Sequence, residues 1–322
     1  MAKFTVKEVW PLLKSTFTGF NDNNSLLLAA ALAFNAIFSI PPLMVIIIRA
    51  AGFFFGEEAI SGELSNQISG AIGPNAAIEI QNIVKNAYKD ESASTFAFWI
   101  GLGTLIFAST TFFATLQESL NRVWNLKPKP TNGIMKMVKV RLFSFGIVLS
   151  IALLMLVSLL LSTVIAILSD YLTELIPDIG VFFITLMDFI LSIGIISVLF
   201  SLIFRFLPDG LIRWKDVWIG GLITAILFAI GKILISWFIG TSDPGSAYGA
   251  AGSMIVILVW IYYSSLIVLF GAEFTQQFAC AFGQEIRPKE HAVFYREQEI
   301  HDHPHDKNSG RPPAEGRFDK KS

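Results

Sequence analysis

The sequence is short of charge, has one cysteine and keeps every histidine near one end. Asp, Glu, Lys and Arg make up 15% of its 322 residues, against roughly 25% in ordinary soluble domains. Cys280 has no second cysteine with which to form an intramolecular disulfide. His291, His301, His303 and His305 all follow residue 290, so the preceding chain offers no imidazole as a catalytic base or metal ligand. Gly-x-Ser-x-Gly, Gly-x-x-x-x-Gly-Lys, His-Glu-x-x-His and Cys/His zinc spacings are absent as well, which leaves hydrolysis without visible machinery. The tract from His301 to Asp306 is short and unsupported, so neither a metal site nor a cofactor is expected. A formal net charge of -1 gives no signature of a nucleic-acid partner.

What is present is apolar. Six stretches, 29–55, 94–117, 142–168, 181–204, 217–240 and 248–280, hold only four of the charged residues: Arg49, Asp188, Lys232 and Glu273. About 20 apolar residues rising 1.5 Å each cross a hydrocarbon core of roughly 30 Å, and every stretch exceeds that length. The pattern excludes a soluble enzyme and predicts an all-α polytopic membrane protein with six transmembrane helices. Its first partner is then the lipid bilayer, and a homo-oligomer is compatible with the composition.

Charge placement orients the spans. With the amino terminus inside, segments 1–28, 118–141, 205–216 and 281–322 carry 20 Lys and Arg, and the outer segments 56–93, 169–180 and 241–247 carry 2. The excess of basic residues in cytoplasmic loops therefore puts both termini in the cytoplasm. The expected organisation is an amphipathic segment 1–28, a six-span domain 29–287 and a disordered cytoplasmic tail 288–322, poor in apolar periodicity. No cleavable leader is expected, because the first apolar run is too long.

Within 1–28, Val6, Val9, Trp10, Leu13, Phe17 and Phe20 share one helical stripe. Such a helix either lies in the membrane interface or packs on the protein's own cytoplasmic face. Pro11 is a candidate helix start, and Asn21 to Ser25 offer caps for the first span. In 56–93, helical periodicity on either side of Gly73-Pro74 predicts two short amphipathic helices outside.

Several polar residues stand at membrane depth. Pro41 and Pro42 sit near the middle of the first span, after Asn35 and Ser39, so that helix should be kinked or broken. A break can expose carbonyls to a binding cavity or merely adjust packing. Arg49, Asp188 and Lys232 lie at similar depths, roughly 9 to 12 Å below the outer ends of their spans. They form either a buried charge network around a cavity or, for the two cations, chains that snorkel to the interface. Toward the cytoplasmic ends lie Glu118, Arg122, Arg141, Arg205 and Glu273. Glu273 is beside Gly271 and Ala272, small residues that let helices approach, and is expected to pair with Arg205 or Arg141. Gly221, Ala225 and Ala229 make another small-residue stripe, suited to packing.

The run from Leu26 to Leu43, with Asn35, Ser39, Pro41 and Pro42, and the run Tyr248-Gly249-Ala-Ala-Gly252-Ser through Gly271-Ala-Glu273-Phe-Thr275 resemble the YihY/BrkB family of bacterial inner-membrane proteins. The resemblance covers about residues 1–287. It implies a six-span inner-membrane protein suspected of transport, with links to virulence in some members. Phe34-Asn35 departs from the aromatic pair expected there, which leaves the role of Asn35 open. An older ribonuclease BN label of the family finds no catalytic cluster here. Two function classes remain: a transporter or exporter of a small solute or amphipathic molecule, and a non-transporting scaffold or envelope regulator.

Overall fold

The computed structural model describes residues 6–38, 103, 111–129, 177–242, 252–283 and 286–295. The whole of the third span, the outer segment 56–93 and the residues after 295 lie outside them. The elements in order are α1 (Val6–Asp22), α2 (Ser25–Phe38), α3 (111–123), β1 (Leu126–Pro128), α4 (Pro177–Phe206), β2 (Gly210–Leu211), α5 (Trp214–Ser242), α6 (Gly252–Phe282), β3 (Arg287–Pro288) and β4 (Ala292–Phe294). Among the described residues, three helices are long and apolar enough to cross a membrane: Phe189–Phe206 within α4, the whole of α5, and Met254–Phe282 within α6. They fall where the sequence places its last three spans, each running two residues past the expected carboxy-terminal bound. The other three spans are not tested at full length.

Local chemistry sets the breaks. Asn23 and Asn24 separate α1 from α2, with Asn24 at φ 52°, and Asn125 closes α3 at φ 54°. Asparagine is one of the few non-glycine residues that accept this left-handed backbone readily. The loop after α4 carries Pro208, whose ring disfavours helical geometry in the residue before it. Pro11 differs from its expected role: α1 is already helical from Val6.

α4, α5 and α6 pack through small residues. A Cβ added at Gly220 would strike Thr275, and one at Gly271 would strike Thr224, so each helix offers a glycine to the other's threonine. Each threonine hydroxyl donates back into its own helix, Thr224 Oγ1 to Gly220 O at 2.7 Å and Thr275 Oγ1 to Gly271 O at 2.6 Å. The hydroxyls are thereby satisfied internally, leaving the interface to be filled by close packing. Gly221 admits Ser201 of α4 in the same way, and Ser201 Oγ bonds Ser197 O and Val217 O. The expected packing role of Gly221 and Ala225 holds here, and Gly220 adds a second glycine. A ladder of ring contacts runs from Trp124 through Phe204, Phe200 and Phe228 to Trp260.

α1 lies against the last third of α6. Leu12 packs with Phe274 and Phe278, Phe17 and Phe20 meet the Phe270 ring, and Gly19 abuts Glu273. The helix therefore packs on the protein, but its buried positions are Leu12 and Thr16, between the predicted stripe and the polar side. Trp10 and Phe17 of that stripe stay 76% and 63% exposed.

The all-α expectation needs one correction. β1 pairs antiparallel with β4 and β2 with β3, making two small sheets at the charge-rich end of the bundle. Residues 286–295, most of them assigned by sequence to a disordered tail, supply one strand to each. Strands of two or three residues are too short to show periodicity, and their order comes from pairing with distant segments.

Candidate functional site

Two polar centres lie within the charge-rich half of the bundle. The first is Glu273, 1% exposed on α6. Its Oε2 accepts from Asn23 Nδ2 at 2.9 Å and its Oε1 from Gln277 Nε2 at 3.0 Å. The glycine at position 19 leaves room for the carboxylate where any side chain would collide with it. Among the described residues no cation pairs with Glu273, and the charge that acts on it, Asp22, has the same sign. Burying a charge costs several kcal/mol, which two amide donors offset only in part.

Of the two expected partners, Arg205 does not pair with Glu273. Arg205 donates through Nη1 to Ile212 O and lies over the Trp214 ring at 5.7 Å, clear of Glu273. The α4–α5 connection turns Arg205 toward its own loop, a local geometry that helical spacing does not reveal. Arg141 lies outside the described residues, Glu118 is exposed on α3, and Arg122 is half-buried.

The second centre is Asp209, in the loop between α4 and α5 and 7% exposed. Its Oδ2 accepts from Asn121 Nδ2 at 2.9 Å, and its backbone N–H donates to Asn121 Oδ1 at 2.8 Å. Oδ1 accepts from Gln117 Nε2 at 3.2 Å and faces His291 Nε2 at 3.0 Å. Lys289 N–H donates to Asp209 O at 2.9 Å, while Lys289 Nζ donates to Pro208 O at 2.7 Å. Burial pushes the Lys289 ammonium below its ordinary range; Asp209 opposes the shift and Arg205 adds to it. Asp209 thus ties α3, the α4–α5 loop and the carboxy-terminal strands together.

Of the predicted outer network, Lys232 is exposed on α5 and makes no hydrogen bond or ion pair with a described residue. The Asp188 side chain, Arg49, Pro41 and Pro42 lie outside the described residues. Asn35 Nδ2 donates to Thr115 Oγ1 at 2.7 Å, joining α2 to α3. Gly252 is buried at the start of α6, Gly271 is buried under Thr224, and Tyr248 and Gly249 are not described. Among the described residues no group of three His, Cys, Asp or Glu is placed to hold a metal ion. Sequence reasoning missed Asp209 and its partners, and assigned Glu273 other ones. The usable signals were the polar run from Asn21 to Asn24, Gln277 one turn after Glu273, and the Pro208-Asp209-Gly210 turn.

A family profile described as "Virulence factor BrkB" matches residues 16–294. The chain belongs to that family. The match to the BrkB family ends on Phe294, the last residue of β4, so the folded carboxy-terminal strands lie inside the matched region. Relatives of this BrkB chain include a UPF0761 membrane protein of Tolumonas auensis, 29% identical over 77% of this chain and 78% of that protein. Another, from Psychromonas ingrahamii, is 28% identical over 84% and 88% of the two chains. A third, from Rhodospirillum centenum, is 26% identical over 80% of this chain and 54% of its own length. No solved structure matches. The protein is an integral membrane protein of the BrkB/UPF0761 family.

Proposed function

We propose that this protein is a six-span bacterial inner-membrane transporter or exporter, with both termini in the cytoplasm, that moves a small solute or an amphipathic molecule. The observation that supports it is Glu273: a buried carboxylate on a spanning helix, held by Asn23 and Gln277 and paired with no described cation. Ionisable groups at such depth weaken a purely structural bundle, and they serve ion or proton pathways where they occur. A carboxyl group is among the few side chains that can bind and release a proton there, which gives transport a means of coupling. The same positions carry no hydrolytic role in this reading.

The orientation follows from the basic residues Arg205, Arg213, Lys215, Arg287 and Lys289 gathered at one end of the bundle. The Asp209 centre then lies on the cytoplasmic side and braces it.

Proteoliposomes carrying a fluorescent short-chain phosphatidylglycerol and a trapped pH dye test the proposal. Wild-type vesicles should move lipid between leaflets or protons across the membrane faster than protein-free vesicles. Glu273→Gln should lower that rate about tenfold, the equivalent of about 1.4 kcal/mol, with folding retained. Rates equal to protein-free vesicles in both channels would sink the reading and favour the non-transporting scaffold.

A further inference from the structure

Three sides of α1 meet three different surroundings. Residues three, four and seven apart share a side of a helix that turns about 100° per residue. Leu12, Gly19 and Asn23 form the side that packs on Phe274, Phe278 and Glu273. Pro11, Ser15, Thr18 and Asp22 follow one another at steps of four, three and four, and all are exposed. The remaining side carries Trp10 and Phe17, both exposed and about two turns apart, with Leu13 half-buried between them. Lys14 and Asn21 are exposed where the aromatic side meets the polar one. Packing on α6 therefore uses only one side of the helix, and a second apolar side is left outward.

Depth identifies what that side meets. α5 and α6 run antiparallel: Thr224 lies against Gly271, Gly220 against Thr275 and Asp216 against Gly283. Trp218, exposed on α5, is thus level with the turn of α6 from Thr275 to Ala279. An exposed tryptophan near the basic end of a spanning helix marks the boundary between hydrocarbon and head groups. α1 meets α6 from Phe270 to Phe278, so it lies at this same boundary. Its carboxy-terminal end leads through Asn23 and Asn24 into the apolar helix α2, where Leu26, Leu27 and Phe34 are exposed. Lipid surrounds the bundle at that level, and an ammonium between an aromatic and a polar side suits a layer of phosphates over acyl chains.

We propose that α1 is an interfacial helix docked on the leaflet at the basic end of the bundle. Trp10 and Phe17 insert at the boundary of head groups and acyl chains, Lys14 reaches the lipid phosphates, and the side from Pro11 to Asp22 faces water. One helix then has Glu273 on one side and lipid on another. The inference uses the transport reading only in calling that leaflet cytoplasmic. No flux enters its test, so the two fail separately.

The test uses the full-length protein with Cys280→Ser as background and a nitroxide spin label on one new cysteine at a time: Trp10→Cys, Phe17→Cys, Ser15→Cys or Thr18→Cys. All four positions are exposed, and a thermal midpoint matching the background confirms that each labelled chain is folded. In vesicles of phosphatidylethanolamine and phosphatidylglycerol, each label is relaxed by oxygen, which concentrates in hydrocarbon, or by a neutral nickel chelate, which stays in water. The ratio of oxygen to nickel access at positions 10 and 17 should exceed that at 15 and 18 by about threefold or more, as for the two sides of an interfacial helix. A ratio at 10 and 17 no higher than at 15 and 18 would put the aromatic side in water. Shielding of 10 and 17 from both reagents would give that side to a second copy or another protein. Either result overturns the proposal.

Discussion

Asp209 and Glu273 are both buried carboxylates, at 7% and 1% exposure, and they keep different company. Asp209 accepts from Asn121 and Gln117, meets His291 and lies near Lys289. Glu273 accepts from two amides, and among the described residues the charge acting on it is that of Asp22. The first joins segments far apart in sequence at the charge-rich end, where cations are plentiful. The second leaves a charge with no described counterion inside a spanning helix. A satisfied network makes structure, whereas an uncompensated ionisable group is retained at the expense of stability and points to a use.

The sharpest way to break this contrast is to remove the Asp209 side chain. Asp209→Ala strands Asn121, Gln117 and His291 together and should destabilise the protein by about 3 to 5 kcal/mol. The fall should appear as a lower thermal midpoint and as faster hydrogen exchange in 286–295; normal protection there would refute the bracing role.

Replacing each acid by its amide is the more selective comparison. Asp209→Asn should cost about 1 to 3 kcal/mol, because donors that need a charged acceptor lose it. Glu273→Gln should stay within about 1 kcal/mol of wild type in either direction, since it removes a buried charge and keeps an acceptor. Equal losses in chemical or thermal denaturation would erase the distinction between the two sites.

His291→Ala should be milder, about 0.5 to 1.5 kcal/mol, because the imidazole is half exposed and Asp209 keeps its amide donors. Loss of protection in β4, with helix peptides unchanged, is the expected exchange pattern.

The smallest effect concerns alkaline pH. The folded Lys289 has a lowered pKa, so between that value and the ordinary lysine value near 10.4 the unfolded chain binds more protons. Stability should therefore rise with pH across that window, and Lys289→Met should remove this part of the slope. A thermal melt series from neutral to alkaline pH checks it, and an identical slope in the variant would disprove it.

The spanning helices were legible because hydrophobicity adds up locally: the stretches 181–204, 217–240 and 248–280 all lie within or largely within long helices. Small residues also announced close packing at Gly221, Ala225 and Gly271. The partners of Glu273 were not legible. Asn23 is 250 positions away, and nothing in either local pattern says that α1 folds back along α6. For Arg205, helical depth alone favoured an acidic partner, yet the loop it caps captured it through Ile212 and Trp214. β3 and β4 were invisible for a related reason: strands this short are set by β1 and β2, not by their own composition.

The sequence alone determined that this chain contains membrane-spanning helices and which end of them is rich in basic residues. Length and the absence of charge are properties of a contiguous segment, and the bilayer acts on each segment largely independently. Only the tertiary structure decided which polar groups meet: Asp209 with Asn121 and His291, and Glu273 with Asn23. Hydrogen bonds and ion pairs act over a few ångströms, so they depend on how helices remote in sequence are packed.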